Sequence, residues 1–237
     1  MPTLALKHFF NQNTYWPTTV VFDTASASGY EASLSTYNWS HTTTTRPNRY
    51  MVVGVSIFAT GTVSSVTYGG QALTFLRSDT NGVYRSELWY MKKPLTGTNT
   101  VEVTLSASLT SIANAQTYYN AAQTGNPDAN NGANGTNTPA SASITTVADL
   151  DTVVGNLAAA TASGVISAVQ QNPRTSNAGA LGTGASDDFG DVTPAGSKTL
   201  SWTGMGVTDS WAVSLLALKP ATGAGVVIQN LAFMMVG

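Results

Sequence analysis

Apolar residues alternate with polar or small ones through most of this chain. In YMVVGVSIFA (50–59), Met51, Val53, Val55 and Ile57 share one face, with Val52, Gly54 and Ser56 opposite. In NTVEVTLSA (99–107), Val101, Val103 and Leu105 point one way while Glu102 and Thr104 point the other. KTLSWTGM and DSWAVSLLALKP repeat the pattern near the end, the latter with Trp211, Val213, Leu215 and Ala217 aligned. A period of two is the mark of a half-buried strand. Further strands are predicted at 18–22, 33–40, 85–91, 113–119, 141–147 and 165–170, with turn residues such as Gly69-Gly70, Asn81-Gly82 and Gly182–Gly184 between them.

One stretch, ADLDTVVGNLAAATA, also fits a helix, because Leu150, Val153, Val154 and Leu157 fall at helical spacing. Gly155 and Asn156 weaken that helix and favour a strand. Two polar, glycine-rich segments, 125–140 and 177–196, read as long loops. SVTYGGQALTFL (65–76) reads as a hairpin whose two central glycines supply positive φ. It has no Gly-Lys-Ser and opens no helix, so it is not a phosphate-cradling loop.

The pattern predicts an all-β fold: a single antiparallel β-sandwich, jelly-roll or immunoglobulin-like, of about ten or more strands. The expected organisation is an N-terminal arm (1–16), a sandwich domain (17–220) and an apolar C-terminal tail (221–237).

Composition sharpens this picture. Of 237 residues, 42% are hydrophobic, ample for a core, and only 9% are charged, against roughly 25% in an ordinary domain. The polar surface must therefore be built from Thr, Ser, Asn, Gln and Gly. A formal net charge of −2, with no basic run longer than Lys92-Lys93, argues against nucleic acid as a partner. No cysteine is present, which removes disulfides and thiolate chemistry. No stretch reaches the ~20 apolar residues of a membrane helix, so no membrane association is expected. The opening MPTLALKHFFNQNTYW places its lysine after the short apolar run and does not read as a secretory signal. The expectation is synthesis in a cytoplasm.

The order YMVVGVSIFA, VSSVTYGGQALTFL, SELWYMKKPLTGTNTVEVTLS, AQTYYNAAQTGNP, WAVSLLALKPA resembles a β-sandwich module of bacterial surface proteins and of bacteriophage virion proteins. The resemblance spans about residues 18–221. It implies the fold and a structural role in a virion or on a cell surface, and brings no catalytic residues with it.

Candidate chemistry is sparse. His8 and His41 have no acid at motif spacing and read as solvent-facing. No Gly-x-Ser-x-Gly elbow is present. Glu31, Glu87 and Glu102 are scattered, with a solvated cross-strand pairing of Glu87 and Glu102 the simplest account. Asp187, Asp188 and Asp191 offer oxygen ligands that calcium would accept, or else form a solvated turn; no cofactor is expected. Adjacent aromatics on a strand face opposite ways, so one of Trp89 and Tyr90, and one of Tyr118 and Tyr119, should be exposed or at an interface. At the ends, Phe9, Phe10, Val226, Val227, Ile228, Leu231, Phe233, Met234 and Met235 form apolar stretches suited to strand addition onto a neighbouring subunit.

Two functions follow as expectations. The first is a non-enzymatic virion protein, a capsid decoration or cement protein or related head or tail component. It would contact copies of itself or a major capsid protein, as a homo-oligomer or lattice member. The alternative is a carbohydrate- or cell-surface-binding module on a phage fibre or bacterial envelope, located outside the cell.

Overall fold

A computed structural model describes residues 18–168 and 170–222. These form fifteen strands, all pairings are antiparallel, and no helix occurs among the described residues. The first seven strands are β1 (Val21–Thr43), β2 (Tyr50–Phe58), β3 (Val63–Tyr68), β4 (Gln71–Ala72), β5 (Thr74–Asn81), β6 (Tyr84–Lys92) and β7 (Gly97–Tyr119). They make one sheet in the order β4-β3-β7-β2-β6-β5, with β1 along β7. The ends of that order, β4 and β5, are separated in the chain by Leu73 alone, so the sheet curls until its edges meet. Residues 101–105 of β7 pair with β3, and residues 111–118 with β2. One wall of the curled sheet therefore holds β3 and β4 and the other holds β2, β5 and β6. Between them lie Met51, Val53, Val55, Ile57, Val101 and Val103, inward as the alternation predicts, together with Val66 and Tyr68.

The remaining strands repeat this plan. They are β8 (Ala129–Gly135), β9 (Ala140–Thr145), β10 (Asp151–Ala159), β11 (Ile166–Ser167), β12 (Asn172–Gly179), β13 (Gly182–Val192), β14 (Ser197–Thr203) and β15 (Trp211–Leu218). A five-stranded sheet, β12-β13-β10-β15-β8, covers a three-stranded sheet, β11-β14-β9. Val153, Leu157, Leu200, Trp202, Val213 and Leu215 fill the space between them. In the first half, β5-β6-β2-β7-β1 runs in the same order as β12-β13-β10-β15-β8. The long strands β1 and β7 correspond to the pairs β8 with β9 and β14 with β15. The tripeptide Val-Val-Gly occurs in both central strands, at 52–54 and 153–155, but with opposite facing. Gly54 looks outward at Asn156, whereas Gly155 looks inward at Leu200, Leu215 and Trp202. A one-residue offset exchanges the faces of a strand.

The two halves stack face to face, β2 and β6 of one against β10, β13 and β15 of the other, giving four layers. The seam is apolar at Tyr50, Val52, Leu88, Val154, Leu216 and Leu218, and at Phe58, Ile112 and Ala158. At its centre it is polar. Asn156 accepts a bond from Asn114 Nδ2 (2.8 Å) and donates to Ser86 Oγ (2.8 Å) and Ser56 Oγ (3.3 Å). Ser56 and Ser86 in turn donate to the carbonyls of Leu157 and Asn156. Each buried polar group at this centre finds a partner across the seam, which removes the penalty of burying it.

Both glycine-rich segments read as loops are largely strands. β8 pairs with β15 along its whole length, and β12 and β13 form a hairpin. Their glycines mark close approaches. A Cβ on Gly132 would collide with the carboxyl of Asp79, on Gly182 with Phe58 and on Gly184 with Ile112. The stretch with helical spacing is a strand, β10, buried on both faces because it lies inside the stack. The region 165–170 contains only the two-residue β11.

Gly69 and Gly70 both have positive φ (54° and 76°), and Tyr68 pairs with Gln71 across them, as the hairpin reading requires. A Cβ on Gly69 would also stand 2.7 Å from Leu95 Cδ1, while one on Gly70 meets open space. Gly69→Val should cost about 2 kcal/mol or more in urea unfolding, and Gly70→Ala about 1 kcal/mol. At the seam, a Cβ on Gly54 would lie 2.4 Å from Asn156 Oδ1 and push that amide out of its bonds. Gly54→Ala should cost about 2 kcal/mol, and equal unfolding midpoints for variant and wild type would refute the close seam.

Candidate functional site

Both ends of the described chain meet at one corner of the seam. Asn120 follows β7 in the left-handed region (φ 58°), a conformation that Asn tolerates better than most residues. Its Nδ2 donates to the Thr19 carbonyl (2.8 Å), and its own carbonyl accepts the Ala221 N–H (2.7 Å). Ala121 forms a bridge with Pro220 beside it. Thr19 and Ala221 are therefore held by the same residue.

Next to this corner the seam opens into a cavity of about 240 Å³ between residues 19–22 and strands β10, β12 and β13. Its inner wall is organised around Asp188, which is 1% exposed. Asp188 accepts from Arg174 Nε (2.6 Å) and a second guanidinium nitrogen (2.9 Å), from Asn172 Nδ2 (2.8 Å) and from the Tyr118 hydroxyl (2.9 Å). Arg174 also stacks on Phe22, 3.6 Å from the ring centroid. The cluster links all three of β7, β12 and β13. Burial, then the Asp188 charge, push the Tyr118 hydroxyl well above the usual phenol range, so it stays a donor. Asp191, exposed and with φ 58°, lines the opening, and so does Thr152, whose buried Oγ1 has no hydrogen-bond partner.

These positions correct several expectations. Asp187 and Asp188 are consecutive on a buried strand and face opposite ways, Asp187 receiving Gln171 Nε2 (2.8 Å) on the far side. The three carboxylates do not converge, and they form no solvated turn. Among the described residues no group of three or more His, Cys, Asp or Glu side chains could hold a metal. Trp89 points into the first core, with Nε1 bonded to Glu87. Tyr90 stacks on Tyr50 at the seam (5.7 Å). Tyr118 is buried at the seam, and Tyr119 is half-buried with Arg46 over its ring (5.5 Å). The interface that each pair implies is thus internal, between the two halves. Glu87 is buried and paired with Arg85 (2.6 Å), and β2 separates its strand from that of Glu102, so the proposed cross-strand pair does not exist. Phe9, Phe10, Val226, Val227, Ile228, Leu231, Phe233, Met234 and Met235 lie outside the described residues.

His41 is not solvent-facing but 1% exposed. Nδ1 is 2.8 Å from Ser26 Oγ, and Nε2 is 3.3 Å from Thr117 Oγ1, which donates to Asp23 Oδ2 (3.2 Å). Ser26 also accepts the Trp39 indole N–H (2.9 Å). The imidazole thereby ties the two lengths of β1 together at one end of the first core. Sequence spacing missed this cluster because its members come from distant parts of a bent strand pair. The Asp188 cluster left one trace, a lone Arg174 fourteen residues before Asp188.

A second buried pair sits at the end of β10. Asp151 accepts the Ala148 N–H (3.3 Å), and its carboxyl is within hydrogen-bonding reach of that of Asp128. Burial, and then the Asp128 charge, raise Asp151 to about 6. Burial lowers His41 to about 4, against a smaller opposing effect of Asp23.

The two groups oppose each other in pH dependence. The depressed His41 stabilises the fold fully above about pH 6.5, and that contribution is lost as pH falls towards 4. The raised Asp151 stabilises it fully below about pH 3.8, and that contribution is lost as pH rises through about 6. Each effect is at most about 3 kcal/mol. Urea midpoints from pH 4 to 8 should show Asp151→Asn gaining on wild type above pH 6, and His41→Asn losing less than wild type on acidification. Parallel profiles for all three proteins would contradict both assignments.

No family model matches the chain, and no curated protein matches it in sequence.

Proposed function

We propose that this chain is a non-enzymatic structural component of a virion, a capsid decoration or cement protein or a related head or tail component. It acts by contact with other protein subunits, copies of itself or a major capsid protein. The observation that carries this reading is the corner at Asn120, which holds Thr19 and Ala221 together. Two apolar stretches, one containing Phe9 and Phe10 and the other running from Val226 to Met235, thus join the body at one point. Apolar sequences of this kind suit addition to a neighbour's sheet edge. The body supports the role: four layers locked by a buried polar seam make a stiff block with a weakly charged surface. No helix among the described residues is long and apolar enough to cross a membrane.

A second reading, recognition of a carbohydrate or a cell surface, draws support from the polar cavity beside the corner.

Deletion of Val226–Gly237 tests the first reading. The full chain should form ordered oligomers or attach to capsids in light scattering and sedimentation. The truncated chain should remain monomeric and unattached with an unchanged melting temperature, since the deleted residues follow the last described strand. Unaltered assembly of the truncated chain would overturn the proposal.

A further inference from the structure

We infer that the seam cavity is a binding site for a neutral, hydroxyl-rich ligand of monosaccharide size. This gives the second reading its site and stands apart from the attachment role. At about 240 Å³ the cavity falls just below the ~300 Å³ at which drug-sized pockets begin, and it would hold about eight waters at ~30 Å³ each. One pyranose ring with its hydroxyls is a matching volume.

The ligand class follows from the hydrogen-bonding groups that the fold leaves open. Asp188 is saturated by four donors, so it shapes the wall and takes nothing further. Arg174 gives Nε and Nη2 to that carboxylate, and its Nη1 has no partner on Asp188. Asn172 keeps an acceptor oxygen beside the N–H it donates. Asp191 presents a carboxylate at the rim, fixed there by a left-handed backbone. Thr152, 2% exposed, has a hydroxyl with no partner, an unusual state for a buried polar group and one that a ligand would relieve. The site thus mixes a cationic donor, an anionic acceptor and a group that does both.

An anion would meet Asp191, and a cation would meet Arg174. A hydroxyl both donates and accepts, so neighbouring hydroxyls on one ring can satisfy the carboxylate and the guanidinium together. Phe22 and Tyr118 supply the apolar part of the wall.

Saturation-transfer NMR on the full chain tests this, using glucose, galactose, mannose and N-acetylglucosamine at about 20 mM, with inorganic phosphate and calcium chloride titrated separately. Two variants report on the cavity. Asp191→Gly removes the carboxylate and suits the positive φ, and Thr152→Val removes the hydroxyl at constant shape. At least one sugar should show transfer to its ring protons, and each variant should weaken it about fivefold, with melting temperatures near wild type. Absence of transfer from every sugar would overturn the inference. So would transfer equal in both variants and wild type, which would place binding elsewhere, or binding of phosphate or calcium alone. None of these failures bears on the tail deletion, so the two ideas fall separately.

Discussion

The fold depends on the contact of Asn156 with the bare backbone of Gly54. Two sheets that would otherwise each present an outer face to water are instead pressed together there. The amide side chain occupies the space that a Cβ would take, and Asn114, Ser56 and Ser86 satisfy it. A buried amide is tolerable only when its bonds are complete, and completing them requires residues from both halves. The seam is therefore specific as well as apolar. Any lateral slip would leave Asn156 unpaired and drive Ile112 and Phe58 into the strand that carries Gly182 and Gly184.

This constraint explains features that look unrelated. β2 and β10 are buried on both faces because each is the middle of a sheet that packs on two sides. The strands β12 and β13 carry almost no large apolar residues, since bulk there would hold the layers apart. Ionisable groups fall at the margins of the seam, where Tyr118, Asp188 and Arg174 close one end, and Asp79, bonded to Ser214 and paired with Arg77, lies further along. The halves share a strand order, but their Val-Val-Gly tripeptides face opposite ways, so the duplicated plan is not a duplicated register.

The first half was readable in the sequence because its strands have one wet and one dry side, or apolar runs bounded by turns. The all-β class, the central strands and the Gly69-Gly70 turn all follow from that. What the sequence concealed is tied to the seam. Glycine signals a turn when its φ is positive, as at 69 and 70, and a close approach when it is not, as at 54, 132, 182 and 184. Composition alone cannot separate the two uses, so two strand regions read as loops. The same holds for charge: Asp187 and Asp188 look like a solvated acidic cluster until Arg174 of the neighbouring strand and Gln171, just before it, arrive as partners. His41 looked isolated because Ser26 and Thr117 reach it only through the bend of β1 along β7. The sequence placed one member of each aromatic pair on the surface or at an interface, and only the stacking of the halves shows Tyr90 and Tyr118 at an internal seam.

The corner at Asn120 has a mechanical consequence. Tension applied between the two ends of the described chain runs from Thr19 through one side chain and one peptide to Ala221. That path is a few ångströms long and bypasses every sheet. Pulling on either end against the other would peel the corner bonds one at a time while the fifteen strands stay unloaded. Until those bonds part, a load between the two ends stays at the corner, and the four layers keep their shape.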